Sequence, residues 1–397
     1  MKKNFFILTQ SYSENKGSYL NYFENLAKEA YKRNYNVIIL SRKNFNEEDY
    51  EKLSYCEVYR FPNYNFKVFN MIFNEIIFSF HIKNFFKKYK NKYNIKDSDV
   101  IIANGYTPLG ILDKKYILRV PDQPGKTILK NLSLYRMPFF NSLFQKIHFN
   151  ICAFWDKIII SKANKLIFSS EANMNEFKKY FTFEKNYFIP NKAIDNSFLD
   201  EKKNKTEKKA IKELKKLYPG KNILFIARSD ERIRKGIYYF EKVLEKLFEK
   251  YNDLNLIHVG DKINWHISEK YKNRIKEVGF VSLNEMPKYY KIADVFVITS
   301  ISEGIPAVLI EAMASGSCII SSDLIGINEY IENNKSGLIF TRGNEKELLE
   351  KIDFLLINKK IAKKLGNNAK IKIKELKNYF DYFFDFINAN KNFNLLK

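Results

Sequence analysis

The segment that decides the fold is residues 300–316, with the sequence SISEGIPAVLIEAMASG. It follows the apolar run ADVFVIT at 293–299 and precedes a second apolar run, SCIIS, at 317–321. Short apolar runs of this kind predict buried strands. Between them, Pro306 suits the first turn of a helix, and Gly316 lies where a glycine that ends a helix is expected. The segment therefore predicts a strand, a loop, a helix and a strand, which form one unit of a parallel sheet.

The loop before the predicted helix has the features of an anion site that also binds hydroxyl groups. Gly304 lets a ligand approach the backbone closely, and the first N–H groups of the helix point toward that ligand. Glu303 in the loop and Glu311 on the helix add two carboxylates, which a bare phosphate does not need but the hydroxyls of a sugar nucleotide do. On spacing alone, the alternative stays open that both are ordinary polar surface residues.

Glu303 and Glu311 form an E-x7-E pair within SEGIPAVLIEAMASGSCIISSD at 302–323. This sequence resembles the signature of retaining glycosyltransferases of family 4, which have the GT-B fold. The resemblance implies that Glu303 contacts the donor sugar and that Glu311 contacts the ribose. The loop residues that it adds to the donor site are Gly304, Ile305 and Pro306.

A pair of cations follows the apolar run at 222–227, which predicts another strand. Arg228, Lys235 and the next glycine resemble the family's G-R-x-x-x-x-K-G segment, with a longer loop and with Ala227 in place of glycine. The resemblance implies that Arg228 and Lys235 clamp the donor diphosphate, where cations stabilise the charge that builds on the departing nucleotide. The alternative is surface charge in a basic chain.

Further residues of the second half also have an expected place. Phe280 and Val281 match positions that hold the nucleotide base in the family, and a core phenylalanine is the alternative. Arg232 and Arg234 lie in the loop between Arg228 and Lys235, and we expect both to be solvated.

The first half predicts a second Rossmann-like arrangement of strand, loop, helix and strand at 3–9, 19–33 and 37–40. It lacks the G-x-G-x-x-G dinucleotide fingerprint. The family often has two glycines in this loop beside the donor phosphates, and the match here reduces to Gly17 and Ser18.

Asp122 follows the predicted strand at 116–120 and lies between two prolines. The family places a His or Asp in this loop near the reacting sugar, so the resemblance implies a catalytic role for Asp122. An aspartate that forms a turn is the alternative. No metal site is expected, because the only D-x-D, at 97–99, precedes its strand, and no His, Cys or carboxylate cluster has ligand spacing.

The formal net charge of +23 is spread over both halves of the chain, which argues against a nucleic-acid partner. Residues 60–150 are nevertheless strongly basic, with 15 basic and 5 acidic residues. Residues 66–90, if helical, would be apolar over most of the helix surface, and a lysine run continues to 96. This pattern is typical of a helix at an anionic membrane surface; a core helix with a solvated basic end is the alternative.

The fold class predicted is α/β, namely GT-B with two Rossmann-like domains that face each other across a cleft. The expected parts are an acceptor-side domain at 1–198, a charged flexible linker at 199–219, a nucleotide-sugar domain at 220–378, and a helix at 379–397 that crosses back to the first domain. A chain of 397 residues exceeds one hydrophobic core, which agrees with two domains.

The function expected is transfer of a sugar, with retention, from a UDP-, GDP- or other nucleotide-sugar donor to a glycan or lipid-linked acceptor in bacterial surface polysaccharide or lipopolysaccharide biosynthesis. No cofactor and no protein nucleophile are expected. We expect neither a secretion signal nor a membrane span, so the location is the cytoplasm or the inner face of the plasma membrane. Two alternatives stay open, namely another GT-B enzyme of the phosphorylase or epimerase kind and a basic module that binds membranes or nucleic acid.

Overall fold

The computed structural model describes residues 2–12, 18–43, 47–64, 70–130, 139–189, 198, 205–375, 379–389 and 393–394. The chain separates into two compact units. Unit 1 comprises Met1–Leu132, Met137–Asn191 and Asn378–Lys397. Unit 2 comprises Ser133–Arg136 and Lys192–Lys377.

Strands occur throughout the described residues and alternate with helices. The strands are β1 (Asn4–Ser11), β2 (Asn36–Arg42), β3 (Tyr50–Lys52), β4 (Glu57–Phe61), β5 (Val100–Asn104), β6 (Ile117–Arg119), β7 (Lys165–Ile167), β8 (Tyr187–Ile189), β9 (Lys221–Ile226), β10 (Leu254–Val259), β11 (Ile275–Gly279), β12 (Val295–Ile298), β13 (Ile319–Ser322), β14 (Leu338–Phe340) and β15 (Phe393–Asn394). The helices are α1 (Ser18–Lys32), α2 (Asn70–Lys88), α3 (Lys90–Tyr93), α4 (Gly125–Lys130), α5 (Phe139–Lys162), α6 (Glu171–Lys178), α7 (Lys205–Leu217), α8 (Ile237–Lys250), α9 (Glu269–Lys272), α10 (Met286–Ile292), α11 (Ala307–Ser315), α12 (Ile327–Tyr330), α13 (Glu345–Ile357), α14 (Lys359–Lys374) and α15 (Tyr379–Asn388).

The sheet of unit 1 has the strand order β15-β8-β7-β6-β5-β1-β2-β4-β3 within the described residues. Neighbouring strands are parallel, apart from β3, which is antiparallel to β4. The order reverses between β1 and β5, so a crevice at their carboxyl ends is the expected ligand position in this unit. The loop after β1 includes Gly17, which lies outside the described residues.

Both faces of this sheet are covered, which explains why its strands are apolar on both sides. Phe6 and Leu8 of β1 belong to the core on one face, together with side chains of α2, α5 and α6. Phe5 and Ile7 belong to the core on the other face, together with side chains of α1 and α15. The alternation follows from the two-residue period of a strand.

Helix α15 is bound into unit 1 by aromatic packing and by a lysine. The rings of Phe383 and Phe386 lie 5.7 and 5.3 Å from the ring of Phe188 on β8. Lys165 Nζ donates to the carbonyl oxygens of Phe386 and Ile387 at 2.7 and 2.8 Å. These carbonyls lie in the last turn of the helix, where backbone acceptors lack helical partners.

The sheet of unit 2 is parallel throughout its described strands, in the order β11-β10-β9-β12-β13-β14. The strand order reverses between β9 and β12. The loops that follow these two strands, 227–236 and 299–306, therefore lie side by side at the carboxyl edge of the sheet, where ligands bind in open α/β folds.

The strand, helix and strand predicted around 300–316 are confirmed as β12, α11 and β13. Helix α11 begins directly after Pro306, and Gly316 ends it with φ of +75°, a conformation that favours glycine. Residues 205–217 of the predicted linker are helical, not flexible, and form α7, which packs against α10. Its charged residues occupy the solvent side of an amphipathic helix.

Candidate active site

The two loops at the reversal point of unit 2 are joined by hydrogen bonds to the backbone carbonyls of residues 234 and 235. Ile301 N donates to Arg234 O at 2.8 Å, and Thr299 Oγ1 donates to Lys235 O at 2.6 Å. Gly236 has φ of +63°, and a Cβ atom there would lie 2.3 Å from Thr299 O. Only glycine permits this approach, so the glycine after Lys235 holds the lysine beside the loop that follows β12.

Lys235 and Glu303 form a buried ion pair at the centre of this arrangement. Lys235 Nζ lies 2.9 Å from Glu303 Oε1 and 3.1 Å from Oε2. Ser300 Oγ donates to Glu303 Oε2 at 2.6 Å, and Arg234 Nη1 lies 2.9 Å from Oε1. Burial alone would raise the pKa of the Glu303 carboxyl, but Lys235, Arg234 and Ser300 bring this pKa down to about 2. Glu303 is therefore an ionised carboxylate that accepts hydrogen bonds.

The expectation that Arg232 is solvated is wrong, whereas Arg234 keeps 41% of its side chain exposed although it is paired. Arg234 pairs with Glu303 and also with Glu231. Arg232 Nη2 donates to Glu241 Oε2 at 2.5 Å, and the Glu241 side chain is only 4% exposed. The physical reason is that a buried carboxylate needs a cation beside it. The sequence does contain an indication of the Glu231–Arg234 pair. The two residues are three positions apart, a spacing at which side chains meet on a helical turn.

Helix α11 presents its amino end to the same loops. Gly304 and Ile305 are buried, and the helix starts only four residues after Glu303. The first N–H groups of a helix have no partner inside it, and its dipole places partial positive charge at this end. Lys235, Arg234 and the end of α11 thus supply three sources of positive potential around one carboxylate.

Glu311 lies on the second turn of α11 and is 9% exposed. Tyr290 of α10 donates its hydroxyl to Glu311 Oε2 at 2.9 Å. Burial and the neighbouring Glu311 raise the pKa of Tyr290 well above its usual value, so this hydroxyl stays a donor. Tyr290 could not be found from the sequence, because this contact joins two different helices.

Arg228 and Phe280 lie at the carboxyl edge of the same sheet, after β9 and β11. Arg228 is exposed and close enough to Asp261 to help lower the pKa of that carboxyl, after the larger effects of burial, which raises it, and of Ser229, which lowers it. Phe280 is 75% exposed, which excludes a core role for its ring. Val281 is half-buried beside it.

Asp122, the candidate from the first half of the chain, lies in unit 1 in the loop after β6. It is exposed, and its carbonyl oxygen accepts a hydrogen bond from Asn173 Nδ2 at 2.6 Å. The loop is also held by Gly125 N, which donates to Asp156 Oδ2 at 2.8 Å. These bonds fix the backbone and leave the Asp122 carboxylate at the surface, and its catalytic role stays a prediction.

Metal ligation was not expected from the sequence. Across the residues that the structure describes, no group of three or more His, Cys, Asp or Glu side chains is arranged to hold a metal ion. The lone D-x-D has a structural use, since Asp99 accepts from Asn4 N and Asn4 Nδ2 at 3.1 and 2.9 Å. Metal independence itself stays a prediction.

Residues 204–372 match the profile of the family described as "Glycosyl transferases group 1". This match lies within unit 2 and covers less than half of the chain. An uncharacterized glycosyltransferase of Haemophilus influenzae is 29% identical over 145 residues, which cover 34% of this chain and 40% of that protein. The alignments with this and two further curated relatives span only 39–44% of their length.

Solved structures extend the similarity to the whole chain. WaaG, a glycosyltransferase involved in lipopolysaccharide biosynthesis, has a TM-score of 0.74 and 14% identity over 97% of this chain and 99% of its own. HepE from Anabaena, solved in complex with UDP and glucose, has a TM-score of 0.65 and 14% identity over 98% of this chain and 100% of its own. At such identities the similarity concerns the fold, and the predicted GT-B fold class is confirmed.

The region that matches this profile includes every donor-site residue predicted from the second half of the sequence. These residues are Arg228, Lys235, Phe280, Val281, Glu303, Gly304, Ile305, Pro306 and Glu311. The structure brings Lys235 into contact with Glu303, and places Glu311 further along the helix that Glu303 precedes. Arg228 and Phe280 follow other strands of the same sheet edge.

Proposed function

We propose that the protein is a retaining glycosyltransferase that transfers a sugar from a nucleotide-sugar donor to a glycan or lipid-linked acceptor. The observation that carries this proposal is the buried Lys235–Glu303 pair at the amino end of α11, between the two loops where the strand order of unit 2 reverses. The place of this reaction is bacterial surface polysaccharide or lipopolysaccharide biosynthesis, which the name of the WaaG structure supports.

The donor diphosphate binds at the amino end of α11. Lys235 exchanges its contact with Glu303 for a phosphate oxygen, and Arg228 approaches the diphosphate from the end of β9. These cations and the helix end stabilise the negative charge that develops on the nucleotide as the glycosidic bond breaks. Glu303, held ionised, accepts hydrogen bonds from hydroxyls of the donor sugar.

The nucleoside part of the donor extends along the domain away from Glu303. Glu311 accepts from the ribose hydroxyls while Tyr290 occupies one of its oxygens. The exposed ring of Phe280 offers a stacking surface for the base, with Val281 beside it. HepE, crystallised with UDP, supports a uridine donor, and a GDP donor would use the same contacts.

Transfer occurs on the face of the sugar from which the nucleotide leaves, through a short-lived ion pair, so that the anomeric configuration is retained. No protein nucleophile takes part, and no metal is required, because the cations named above perform its task. The catalytic role that the resemblance implies for Asp122 is part of this proposal.

The acceptor is proposed to be reached at a membrane surface on unit 1. Helix α2 has exposed apolar side chains at Phe73, Ile76 and Phe80, which are 43%, 38% and 60% exposed. Helix α5, which contributes to the same core on the same face of the sheet, adds exposed apolar residues, namely Leu143, Phe144, Ile147 and Phe154. Exposed lysines accompany them, and apolar side chains among lysines suit an anionic bilayer.

The protein would therefore act in the cytoplasm and bind peripherally to the inner face of the plasma membrane. Among the described helices, none has both the length and the hydropathy needed to cross a bilayer. The apolar side chains of α2 and α5 belong to helices that lie on the sheet, so the proposed attachment is to the membrane surface.

Calorimetric titration with UDP, GDP and ADP tests the donor site, and proton NMR of the products tests the anomeric outcome. We expect saturable binding of at least one nucleoside diphosphate. We also expect a product that keeps the anomeric configuration of the donor. Absence of saturable binding to any of the three, together with salt-dependent retention on nucleic acid, would refute the proposal and favour a basic binding module.

A further inference from the structure

Arg234 lies between two carboxylates in the loop after β9. Its Nη1 atom is 2.9 Å from Glu303 Oε1, and its Nη2 atom donates to Glu231 Oε1. Burial alone would lower the pKa of Arg234, but Glu303 and Glu231 raise it above its usual value. The guanidinium is therefore a permanent cation, with Nη1 paired to Glu303 and Nη2 paired to Glu231.

Glu303 thus has two cations of different character. The Lys235 ammonium ends a flexible four-carbon stem, whereas the Arg234 guanidinium is planar and fixed by two partners. The backbone around both is fixed, since Lys235 N donates to Glu231 O at 2.8 Å and Arg234 O accepts from Ile301 N at 2.8 Å. The Lys235 ammonium can therefore move away from Glu303 while the backbone of the loop and Arg234 keep their positions.

We propose that Arg234 is a positioning residue that keeps Glu303 ionised and oriented while Lys235 turns to the donor diphosphate. The proposal rests on the proposed function, because it assigns Lys235 to a phosphate. In the free protein, Lys235 and Arg234 balance Glu303 and Glu231. When Lys235 moves to the phosphate, Glu303 keeps Arg234 and the hydroxyl of Ser300, which donates to Oε2.

Without Arg234, the donor-bound state would leave the largely buried Glu303 carboxylate with only hydroxyl donors, from Ser300 and from the sugar, and with no cation of the loop beside it. Burial then raises the pKa of Glu303, and a protonated carboxyl accepts weaker hydrogen bonds from a sugar. Within the described residues, the groups that face Glu303 are Lys235 and Arg234 from the loop after β9 and Ser300 from its own loop. Because Glu303 acts as the anion, activity is present above its pKa and is lost as pH falls through it.

The first experiment measures Glu303 directly and needs no substrate. Lys235→Met imitates the departure of the lysine, and the Glu303 carboxyl carbon is titrated by NMR in this variant with and without Arg234→Gln. With Arg234 present, the pKa of Glu303 should stay below the ordinary range of a glutamate. Without it, the pKa should rise by about 1–3 units, the usual effect of losing one opposite charge at this distance. Equal titration in both variants would overturn the proposal.

The second experiment measures turnover from about pH 3 to about pH 9, since the acid limb of such a profile reports the essential ionised group. Arg234→Gln should move the acid limb upward by about 1–3 pH units, with turnover near wild type at high pH. Arg234→Lys should restore most of the shift. Ile233→Ala is the matched control, because this neighbour is 38% exposed and directs no charge at Glu303.

Two outcomes would contradict the proposal. One is an unshifted acid limb in Arg234→Gln. The other is an equal loss at every pH that Arg234→Lys does not relieve, which would make Arg234 a purely structural part of the loop. Thermal unfolding of each variant shows whether it is folded. If the wild type binds no nucleoside diphosphate, the proposed function fails, while the NMR titration still decides the role of Arg234.

Discussion

Replacing Glu311 by Gln should weaken the binding of a free nucleoside diphosphate, whereas replacing Glu303 by Gln should not. Glu311 is assigned to the ribose and Glu303 to the sugar, and the two are eight positions apart along α11 and the residues before it. Glu303 lies in the loop before α11 and Glu311 on its second turn, so we expect the two carboxylates to bind different hydroxyls of the donor. A donor with a sugar at one end and a ribose at the other fits that separation.

The magnitude follows from the surroundings of each carboxylate. Glu311 is 9% exposed, so water does not readily replace a lost ribose contact. A hydrogen bond to a charged group contributes about 1.5–3 kcal/mol, which corresponds to a Kd for UDP or GDP about 10- to 150-fold higher in Glu311→Gln. The amide oxygen of the new side chain still accepts from Tyr290, so folding stability should change little.

In Glu303→Gln, the Kd for the nucleotide should stay the same or fall, because Lys235 loses its carboxylate partner and is free to bind phosphate. Turnover with the intact donor should drop. Isothermal titration calorimetry measures both variants against the wild type, with Glu269→Gln as a charge control whose side chain is 84% exposed. Equal weakening of UDP binding by both substitutions would show that the division between sugar and ribose is wrong.

Four further outcomes are expected. Arg228→Ala or Lys235→Ala should lower turnover by about 10²-fold or more while the fold survives, and wild-type turnover in both would remove the diphosphate assignment. Activity should persist in excess chelator; loss with EDTA and recovery with Mg²⁺ or Mn²⁺ would reverse that expectation. The protein should co-sediment with anionic vesicles at low salt, less so as salt rises and less so in Phe80→Ser or Phe154→Ser, and no sedimentation at low salt would contradict the membrane assignment. Gly236→Ala should destabilise unit 2, because its Cβ would lie 2.3 Å from Thr299 O, and an unchanged melting temperature would show that the loop can move.

The parallel strands of unit 2 could be predicted from the sequence because they are buried on both faces and appear as short apolar runs. The run at 293–299 and the run at 317–321 became β12 and β13, and the residues between them formed α11 as expected. Loops that follow parallel strands meet at the carboxyl edge of the sheet. Because Lys235 and Glu303 each lie in a loop after a predicted strand, the sequence also predicted that both lie at this edge.

Side-chain partners in the site could not be obtained in this way. Loop residues have no periodic direction, so nothing in the sequence showed that Arg234 faces Glu303 while Arg232 faces Glu241. Tyr290 reaches Glu311 from a different helix, a contact that depends on how α10 and α11 pack.

High charge was also misleading where a helix is amphipathic. Residues 205–217 are rich in lysine and glutamate, and they were assigned to a flexible linker. Their apolar side chains recur at helical spacing, with Ala210, Leu214 and Leu217 along one side, and that spacing outweighs composition. In α2 the sequence left a core helix and a membrane helix open, and the structure gives it both buried and exposed aromatic residues.

The position of α15 has a consequence for the order in which the protein matures on the ribosome. Unit 2 is nearly continuous in sequence, so its sheet can assemble as soon as residues 192–377 have been synthesised. Unit 1 needs Phe383 and Phe386 against β8, and these residues are synthesised after those of unit 2. During synthesis, therefore, the part of this apolar face that α15 covers stays exposed to water while unit 2 folds. A product that stops before residue 378 would keep that face open to aggregation and to proteases.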